Sequence, residues 1–281
     1  MKLNFIQNSR KFFTRISLIM AVFQVSSAHA GIVLQSLTQD DLDGIHQDIA
    51  SLMVFSTGAD GGPIPGEKPF KFQLGVLGGI GTAENILAET EDAGETNPIP
   101  AILPNIYFFG GAGFPGGLSV EFNWRPNFSR WLGLGFNSAY YAGGVRWSVT
   151  ELLSIPLLNL DIGANYGIGG LSFDQTLNGL AANNSLDRTS YGAGVTAGLN
   201  LDFFLPYIHL GWSQSDVEIT TTNIAAIFNP SLSTTDKAKS KIDTLVGRVG
   251  ANLKFNEGSI GLEYQQAFYA HRVMFRASSH F

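Results

Sequence analysis

Apolar and polar residues alternate with a period of two from residue 70 to the end of the chain. Leu118, Val120 and Phe122, for example, are separated by single polar residues. This is the period of β-strands whose two faces meet different environments. The pattern predicts ten strands, at residues 70–82, 103–112, 117–126, 131–149, 157–173, 189–202, 206–220, 241–254, 259–268 and 271–281.

The fourth predicted strand is the least regular, because its apolar parity changes between Tyr140 and Val145. A β-bulge within one long strand would explain the change, and so would a hairpin that adds an eleventh strand. A sheet that closes with both termini at one side needs an even number of antiparallel strands. We therefore expect a bulge and ten strands.

The predicted connections alternate between short and long ones. Segments 113–116, 150–156, 203–205 and 255–258 are short, whereas 83–102, 174–188 and 214–240 are long; 127–130 and 269–270 are brief members of the second set. Short turns at one end and long loops at the other are typical of an outer-membrane β-barrel. A soluble sandwich or barrel with its apolar faces inside is the alternative. The glycine-rich polar faces favour the membrane barrel, because glycine weakens exposed strands.

One helix precedes the strands, at residues 36–53, where Leu42, Ile45 and Ile49 recur at helical spacing. Thr38 followed by Asp41 resembles a capping box and predicts the N-terminus of this helix. The Gly- and Pro-rich residues 58–69 predict a linker. The helix could plug a barrel or lie in the periplasm against a partner, and we favour the plug.

The first 30 residues predict a cleaved export signal. Four basic residues precede the apolar residues 16–25, and Ala28-His29-Ala30 forms a cleavage site of the A-x-A type. Removing four of the 17 basic residues leaves 13 against 23 acidic ones, a net charge near −10. This acidity argues against a nucleic-acid partner. The chain has no cysteine, so it has neither disulfides nor thiolate metal sites.

The export signal, the absence of cysteine, the glycine- and aromatic-rich alternating strands and the terminal Phe281 together resemble Gram-negative outer-membrane β-barrel proteins of the porin-like kind. The helix before the strands is loosely similar to the N-terminal plug of fatty-acid-transporter-like barrels. The resemblance implies an all-β transmembrane antiparallel barrel of about ten strands with a short N-terminal helix, surrounded by outer-membrane lipid. It also implies that the barrel-assembly machinery reads the last strand and its aromatic end.

Three segments follow from these observations. Residues 1–30 are the expected signal peptide, residues 31–69 the helix and linker, and residues 70–281 the transmembrane barrel.

Strand parity places a set of charged residues on the inner face of this barrel. They are Lys71, Glu121, Arg146, Asp161, Asp202, Arg248, Lys254, Glu263, Arg272 and Arg276. Such residues form either a constriction that selects solutes by charge or ion pairs that fill a narrow interior. The balance of signs favours the ion pairs. Any anion preference is expected from the arginines of the late strands, Arg248, Arg272 and Arg276.

Aromatic residues near the predicted strand ends predict the membrane interfaces. They are Trp124, Trp131, Trp147, Trp212 and the terminal Phe281. Tryptophan is enriched at both interfaces of membrane proteins, and outer-membrane barrels carry aromatic girdles there. Phe281 is further expected to act as an assembly signal.

Catalytic chemistry is not expected. None of the four histidines after the signal has a metal-ligand spacing, and no G-x-S-x-G elbow occurs. His271 with Asp174, Asp187 and Asp216 is the one candidate for a rim site, but lone loop acids are usually solvated. The acidic residues 83–100 likewise predict a solvated loop rather than a calcium site. We expect no enzyme, cofactor or metal.

The expected function is therefore passive passage or binding of a small solute across the outer membrane. The alternative is a structural or adhesive barrel whose long loops bind an extracellular partner.

Overall fold

A computed structural model describes residues 38–56, 64, 70–92, 102–127, 136–150, 157–177, 180–222 and 237–281. Its ten antiparallel strands close into one barrel, as predicted. They are β1 (Lys71–Thr82), β2 (Ile102–Gly113), β3 (Leu118–Arg125), β4 (Phe136–Ser148), β5 (Leu158–Leu177), β6 (Leu180–Leu199), β7 (Phe204–Thr222), β8 (Lys237–Phe255), β9 (Gly258–Ala267) and β10 (Ala270–His280). The expected signal peptide, residues 1–30, and most of the linker lie outside the described residues.

The last strand closes the barrel against the first. β10 pairs with β1 from Gln73 opposite His280 to Gly81 opposite Arg272. Phe281 extends this ladder, since its backbone N–H donates to the Phe72 carbonyl at 2.9 Å. Both termini of the sheet therefore lie at one end, which we call the turn end because the short connections are there. The opposite end is the loop end.

β4 contains no bulge, so that expectation was wrong. Its residues pair one to one with both β3 and β5. Tyr140 points into the barrel and is buried, whereas Tyr141 points outward. The apolar parity changes because two consecutive tyrosines face opposite sides, and a continuous ladder accommodates both.

The polarity of the barrel wall is the reverse of that in a soluble protein near the turn end. Apolar side chains such as Ile208 and Leu210 point outward and are 56% and 70% exposed. Charged side chains such as Glu121 and Arg276 point inward and are buried. An apolar outer band around a polar interior is the arrangement that lipid requires.

The two faces exchange their character towards the loop end. On β7, Ile208 and Leu210 face outward, but beyond Trp212 the inward residues Val217 and Ile219 are the apolar ones. No bulge interrupts the pairing of β7 with β6 or β8. The wall at the loop end is thus apolar inside and polar outside, as in a barrel surrounded by water.

Strands β5 to β8 are long enough to leave the membrane. Each has 19 or 20 residues. A 20-residue strand is about 66 Å long at about 3.3 Å per residue, whereas about 10 residues span a bilayer. Most of segment 174–188, which the sequence predicted as a loop, belongs to strands β5 and β6, and both ends of segment 214–240 belong to β7 and β8. We call residues 170–177, 180–189, 214–222 and 237–243 the strand extension.

Two helices accompany the barrel. Helix α1 (Gln39–Leu52) begins at the predicted capping box, where the Asp41 N–H donates to Thr38 Oγ1 at 3.3 Å. Helix α2 (Glu84–Asp92) lies in the segment that we expected to be a solvated loop. Asp48 of α1 joins the two, since it accepts a hydrogen bond from the Ile86 N–H at 2.9 Å. Within the described residues, neither helix has the length and apolar character needed to cross a bilayer.

Helix α1 lies inside the barrel. Its apolar residues, Leu42 and Ile49 among them, form one buried cluster with inward side chains of β2, β4, β5, β6 and β7. Gln39 donates to the Lys239 carbonyl at the loop end, at 3.3 Å. Ile64 contacts Gly111 and Gly113 near the turn end. Helix α1 thus begins at the loop end, whereas Ile64 lies near the turn end, and we call residues 38–56 the inner segment.

Candidate functional site: the lumen and its inner segment

Five consecutive backbone carbonyls of the inner segment, those of residues 52–56, accept hydrogen bonds from the barrel wall. The first is the Leu52 carbonyl, which accepts from Asn105 Nδ2 at 2.6 Å, from the Tyr107 hydroxyl and from Arg272 Nη1 at 3.1 Å. A helix end leaves its last carbonyls without partners and carries a partial negative charge. The last turn of α1 has no basic residue of its own, so the wall supplies the cation.

Arginines from three different strands bind the next carbonyls. Arg188 Nη1 donates to the Met53 carbonyl at 3.1 Å, and Arg272 Nη2 donates to the Val54 carbonyl at 3.2 Å. Arg248 Nη2 donates to the Phe55 carbonyl. These three residues, which we call the arginine cluster, come from β6, β8 and β10.

Ser56 completes the row. Its carbonyl accepts from Asn123 Nδ2 at 2.7 Å, and its hydroxyl accepts from Arg272 Nη2 at 2.7 Å. The inner segment is thus held along its backbone, from the end of α1 to residue 56. Such contacts depend on where the backbone lies and only at Ser56 on which side chain it carries.

The turn-end half of the lumen is lined by ion pairs instead. Arg146 lies 2.9 Å from both Glu121 and Asp161, and Arg276 lies 3.5 Å from Glu263. All five side chains are almost fully buried. Buried charges are stable only when they are paired. This half of the lumen therefore matches the ion-pair interpretation of the inner charges.

The remaining expected lumen residues lie at the turn end. Lys71 is half-buried on the inner face of β1, and Lys254 donates to Asn200 Oδ1 at 3.2 Å. Asp202 does not line the lumen, so its predicted place was wrong. It lies exposed in the turn between β6 and β7 with a φ of 53°, a left-handed conformation that aspartate tolerates. Strand parity fails there because β6 ends at Leu199.

Glycines on the inner face leave room for the side chains of the inner segment. A Cβ atom on Gly144 would lie 2.9 Å from the ring of Phe55, and one on Gly81 would lie 2.7 Å from Leu52 Cδ2. Any larger residue at these positions would overlap the segment. The high glycine content of the inner face is thus explained at these two positions by close packing against α1 and the residues after it.

The sequence interpretation missed two polar residues at this site. Arg188 fell at the end of a segment predicted to be a loop, although it continues the inward parity of Ser190 on β6. His46 of α1 is buried between two hydroxyls, with Nδ1 2.7 Å from Ser240 Oγ and Nε2 2.8 Å from Ser215 Oγ. No sequence motif marks His46, because its partners come from distant strands.

The described aromatic residues lie on the outer wall. Trp124, Trp147 and Trp212 are each about two-fifths exposed there, and Phe281 is 54% exposed at the turn end. Trp212 lies where the outer face of β7 changes from apolar to polar residues. Trp131 lies outside the described residues. Their role at the membrane interfaces remains a prediction.

The candidate rim acids do not meet the rim histidine. Asp187 and Asp216 lie on the outer faces of β6 and β7, whereas His271 of β10 contacts Tyr264 of β9. Among the described residues, no three or more acidic or histidine side chains are grouped so that they could hold a metal ion.

Comparison with known proteins finds likeness in structure alone. No family model and no curated protein matches the chain. Among solved structures, it is similar to the attachment invasion locus protein Ail of Yersinia pestis (8% identity, TM-score 0.34, 75% of this chain and 97% of that one). It is also similar to the translocator domain of the autotransporter NalP from Neisseria meningitidis (12%, 0.44, 86% and 95%) and to a mutant of the monoaromatic hydrocarbon channel TodX (8%, 0.31, 83% and 97%). By its strand order and the polarity of its wall, the chain is a closed ten-stranded antiparallel β-barrel of the outer-membrane type.

Proposed function

We propose that this protein lets a small solute cross the outer membrane of a Gram-negative bacterium when the inner segment leaves the lumen. The row of carbonyls at residues 52–56, held by wall side chains, is the observation that carries the proposal. The lumen here is filled by a separate piece of chain that non-covalent bonds retain. A lumen filled by its own wall side chains would have no such removable part.

The dimensions of the barrel support a passage once the segment is removed. An eight-stranded barrel is just wide enough for side chains to fill it, and the diameter grows with the number of strands. This ten-stranded barrel admits an α-helix, whose diameter with side chains is about 10–12 Å. Removal of the segment would therefore leave a space of molecular width in the loop-end half.

The ion pairs of the turn-end half would then form the narrowest part of the path. Arg146 with Glu121 and Asp161, and Arg276 with Glu263, carry both signs of charge. A constriction of this kind favours small polar solutes over large or apolar ones. These five residues, which strand parity predicted to line the lumen, set the selectivity in the proposal.

Assembly in the outer membrane is part of the proposal. Outer-membrane lipid would contact the apolar band, and the assembly machinery would read β10 with Phe281. Phe281 continues the ladder with Phe72 of β1, so the strand carrying the signal is also the one that seals the barrel.

Conductance in planar lipid bilayers tests the passage. We expect the wild-type protein to conduct rarely, and Arg272→Gln to raise the fraction of time open about tenfold or more, since a hydrogen bond to a charged group contributes about 1.5–3 kcal/mol. Lys239→Gln removes one positive charge from the exposed outer face and is the control, expected to behave as the wild type. Heat-modifiable migration on a gel would verify that each variant forms a barrel. The absence of conductance in every folded variant would reject the proposal.

A second function is favoured by the strand extension. Its outer face is charged, and Glu218 pairs there with Lys237 at 2.6 Å and with Lys239 at 3.0 Å. A rigid polar wall that rises above the membrane is suited to binding an extracellular partner, as a structural or adhesive barrel would. A barrel that never conducts, even without the bonds of Arg272, would favour this alternative.

A further inference from the structure

We propose that Arg188, Arg248 and Arg272 form a binding site for a small oxyanion, which backbone carbonyls of the inner segment occupy in the closed barrel. The chemical class is a carboxylate, sulfate or phosphate of small size. This inference rests on the proposed function, because it names the class of solute that would enter the lumen.

The three arginines converge on one short stretch of chain. Each guanidinium donates to a carbonyl within residues 52–55, and four residues span at most about 14 Å even when extended. The side chains of Arg188, Arg248 and Arg272 are 2%, 7% and 2% exposed. Three positive charges thus lie close together in a dry part of the lumen.

These charges are compensated less than those of the other buried arginines: Glu263 attracts Arg248 and Arg272 from a distance, but its ion pair is with Arg276. Within the described part of the chain, no carboxylate forms an ion pair with any member of the arginine cluster, whereas Arg146 and Arg276 both pair with acidic residues. A carbonyl dipole offsets a buried guanidinium only partly, and hydrogen bonds between two charged groups are roughly twice as strong as neutral ones. An anion would therefore bind these arginines more strongly than the carbonyls do.

Each arginine of the cluster also has a free donor. Arg188 Nη2, Arg248 Nε and Arg272 Nε are buried and have no hydrogen-bond partner among the described residues. A guanidinium fork fits the two oxygens of a carboxylate or the face of a sulfate or phosphate. Three such donors on three strands form a site that is not saturated by the inner segment.

Space for a small group lies next to this site. A cavity of about 40 Å³ is lined by Phe55 and Arg248 and extends to the paired Arg146. One water molecule needs about 10–15 Å³ by this measure, so the cavity has room for a few atoms beside the segment. The acids Glu121 and Asp161 also line it, but Arg146 pairs with both.

Anion binding and release of the inner segment are therefore coupled. An oxyanion that takes the guanidinium donors leaves the carbonyls of residues 52–55 without them, and a buried carbonyl without a partner is unfavourable by about 1–3 kcal/mol. The segment then leaves the lumen more often. A cation gains nothing at the cluster and leaves the segment in place.

A single cysteine can report this release, since the chain has none of its own. Ala50 is fully buried on α1, so Ala50→Cys is protected while the segment is in the lumen. We would measure its reaction with a membrane-impermeant maleimide in sodium sulfate, succinate or phosphate, each against sodium chloride at equal ionic strength and equal pH. The expected result is a severalfold, saturable increase in the reaction rate with at least one of the three oxyanions.

The arginines decide whether the effect arises at the proposed site. Arg248→Gln should abolish the increase, and Arg188→Gln is the second variant if the first does not fold. Lys239→Gln should keep it. An increase with succinate alone would identify a carboxylate site, and one with sulfate or phosphate an inorganic-oxyanion site; both support the proposal. Equal rates in all four salts, or an increase that survives Arg248→Gln, would overturn it.

The two proposals fail in different ways. Conductance in Arg272→Gln without any oxyanion effect on the labelling of Ala50→Cys would reject the anion site and leave the passage. An oxyanion effect in a barrel that never conducts would keep the site and reject the passage.

Discussion

Asp48 is a carboxylate enclosed between two helices. It accepts hydrogen bonds from the Ile86 N–H at 2.9 Å and from Asn85 Nδ2 at 3.1 Å, at the N-terminal end of α2. Burial nevertheless raises the pKa of Asp48 to about 6, because the loss of hydration outweighs both hydrogen bonds. Protonation therefore favours the contact between α1 and α2.

This raised pKa predicts a pH dependence of stability. The folded state holds the proton more tightly than the unfolded chain, so the stabilisation is present below the ordinary pKa of aspartate and is lost as the pH rises through about 6. We expect the free energy of unfolding of the wild type, relative to that of Asp48→Asn, to rise by on the order of 2 kcal/mol when the pH is lowered from 7.5 to 4.5. Free energies of unfolding of both proteins at the two pH values would measure it. An unchanged difference between them would contradict the prediction.

Gly144 offers a steric test of the packing in the lumen. Gly144→Val would place methyl groups against the Phe55 ring, which already lies 2.9 Å from where a Cβ would be. Overpacking of this kind costs about 1–3 kcal/mol. Because the inner segment can move and the wall cannot, the overlap should destabilise the segment's position in the lumen. The labelling rate of Ala50→Cys should rise about tenfold or more.

Its neighbour on the strand is a matched control. Gly143 faces outward, and a Cβ there would meet only the Glu121 carbonyl, at 3.7 Å. Gly143→Val should leave the labelling rate unchanged. Equal rates in the two valine variants would show that Phe55 does not occupy this place.

Strand parity alone predicted the inward direction of Arg272 and Arg276, because a single residue's face follows from its strand. What Arg272 binds was beyond such reasoning. Besides Gln265 on the neighbouring strand, its partners are the Leu52 and Val54 carbonyls and the Ser56 hydroxyl, all 216 or more positions away in the sequence. The same limit explains why Arg188 was missed, since a guanidinium that meets backbone leaves no complementary acid in the sequence to find.

Strands β6 and β7 show how a change of apolar parity along a strand can be mistaken for its end. On β7, the apolar residues lie at even positions up to Trp212 and at odd positions from Val217. On β6, the sequence analysis places the start of the strand at residue 189, although the strand begins at Leu180. We predict that a change of apolar parity without turn residues marks the height of the membrane.

This boundary can be measured on β6, where the same change occurs. Val195 faces outward in the apolar band, and Thr189 faces outward beyond it, opposite Asp216. Val195→Arg should destabilise the barrel in lipid vesicles by about 2–4 kcal/mol, and Thr189→Arg by less than about 1 kcal/mol. Denaturant unfolding would compare them. A large loss of stability from Thr189→Arg would place the extension within the bilayer.

Helix α2 was not predicted, because the contacts that stabilise it are tertiary ones. Its sequence, ENILAETED, is acidic and shows few apolar residues. It is stabilised where Asp48 meets its N-terminal end and where Ile86 joins the buried cluster with α1. Both contacts involve residues outside the segment, so its own composition predicted a solvated loop.

The direction of the inner segment predicts which side of the membrane each part faces. Barrel termini and short turns are periplasmic in outer-membrane barrels. Because Gln39 lies at the loop end and Ile64 near the turn end, we expect the start of α1 on the extracellular side. The number of strands and their closure were predictable from period and parity, but this direction was not, since a plug can enter from either end.

Labelling of intact cells tests this direction. An impermeant maleimide should react with Gln39→Cys on intact cells, because that residue is exposed at the loop end. Asn256→Cys, in the turn between β8 and β9, should react only after the outer membrane is permeabilised. The opposite result at both positions would reverse the orientation.

The seam between β1 and β10 makes the order of folding events matter for this chain. The inner segment precedes β1, and it lies inside the ring that β10 later closes. Once the seam has formed, the segment can reach its place only end-on, by passing its N-terminal side up through the ring. While the seam is still open, the nascent sheet can instead wrap around the segment from the side. The order of the two events therefore decides the route: late closure encloses the segment laterally, and early closure leaves an empty ring that the segment must enter end-on, as it must whenever the open lumen closes again.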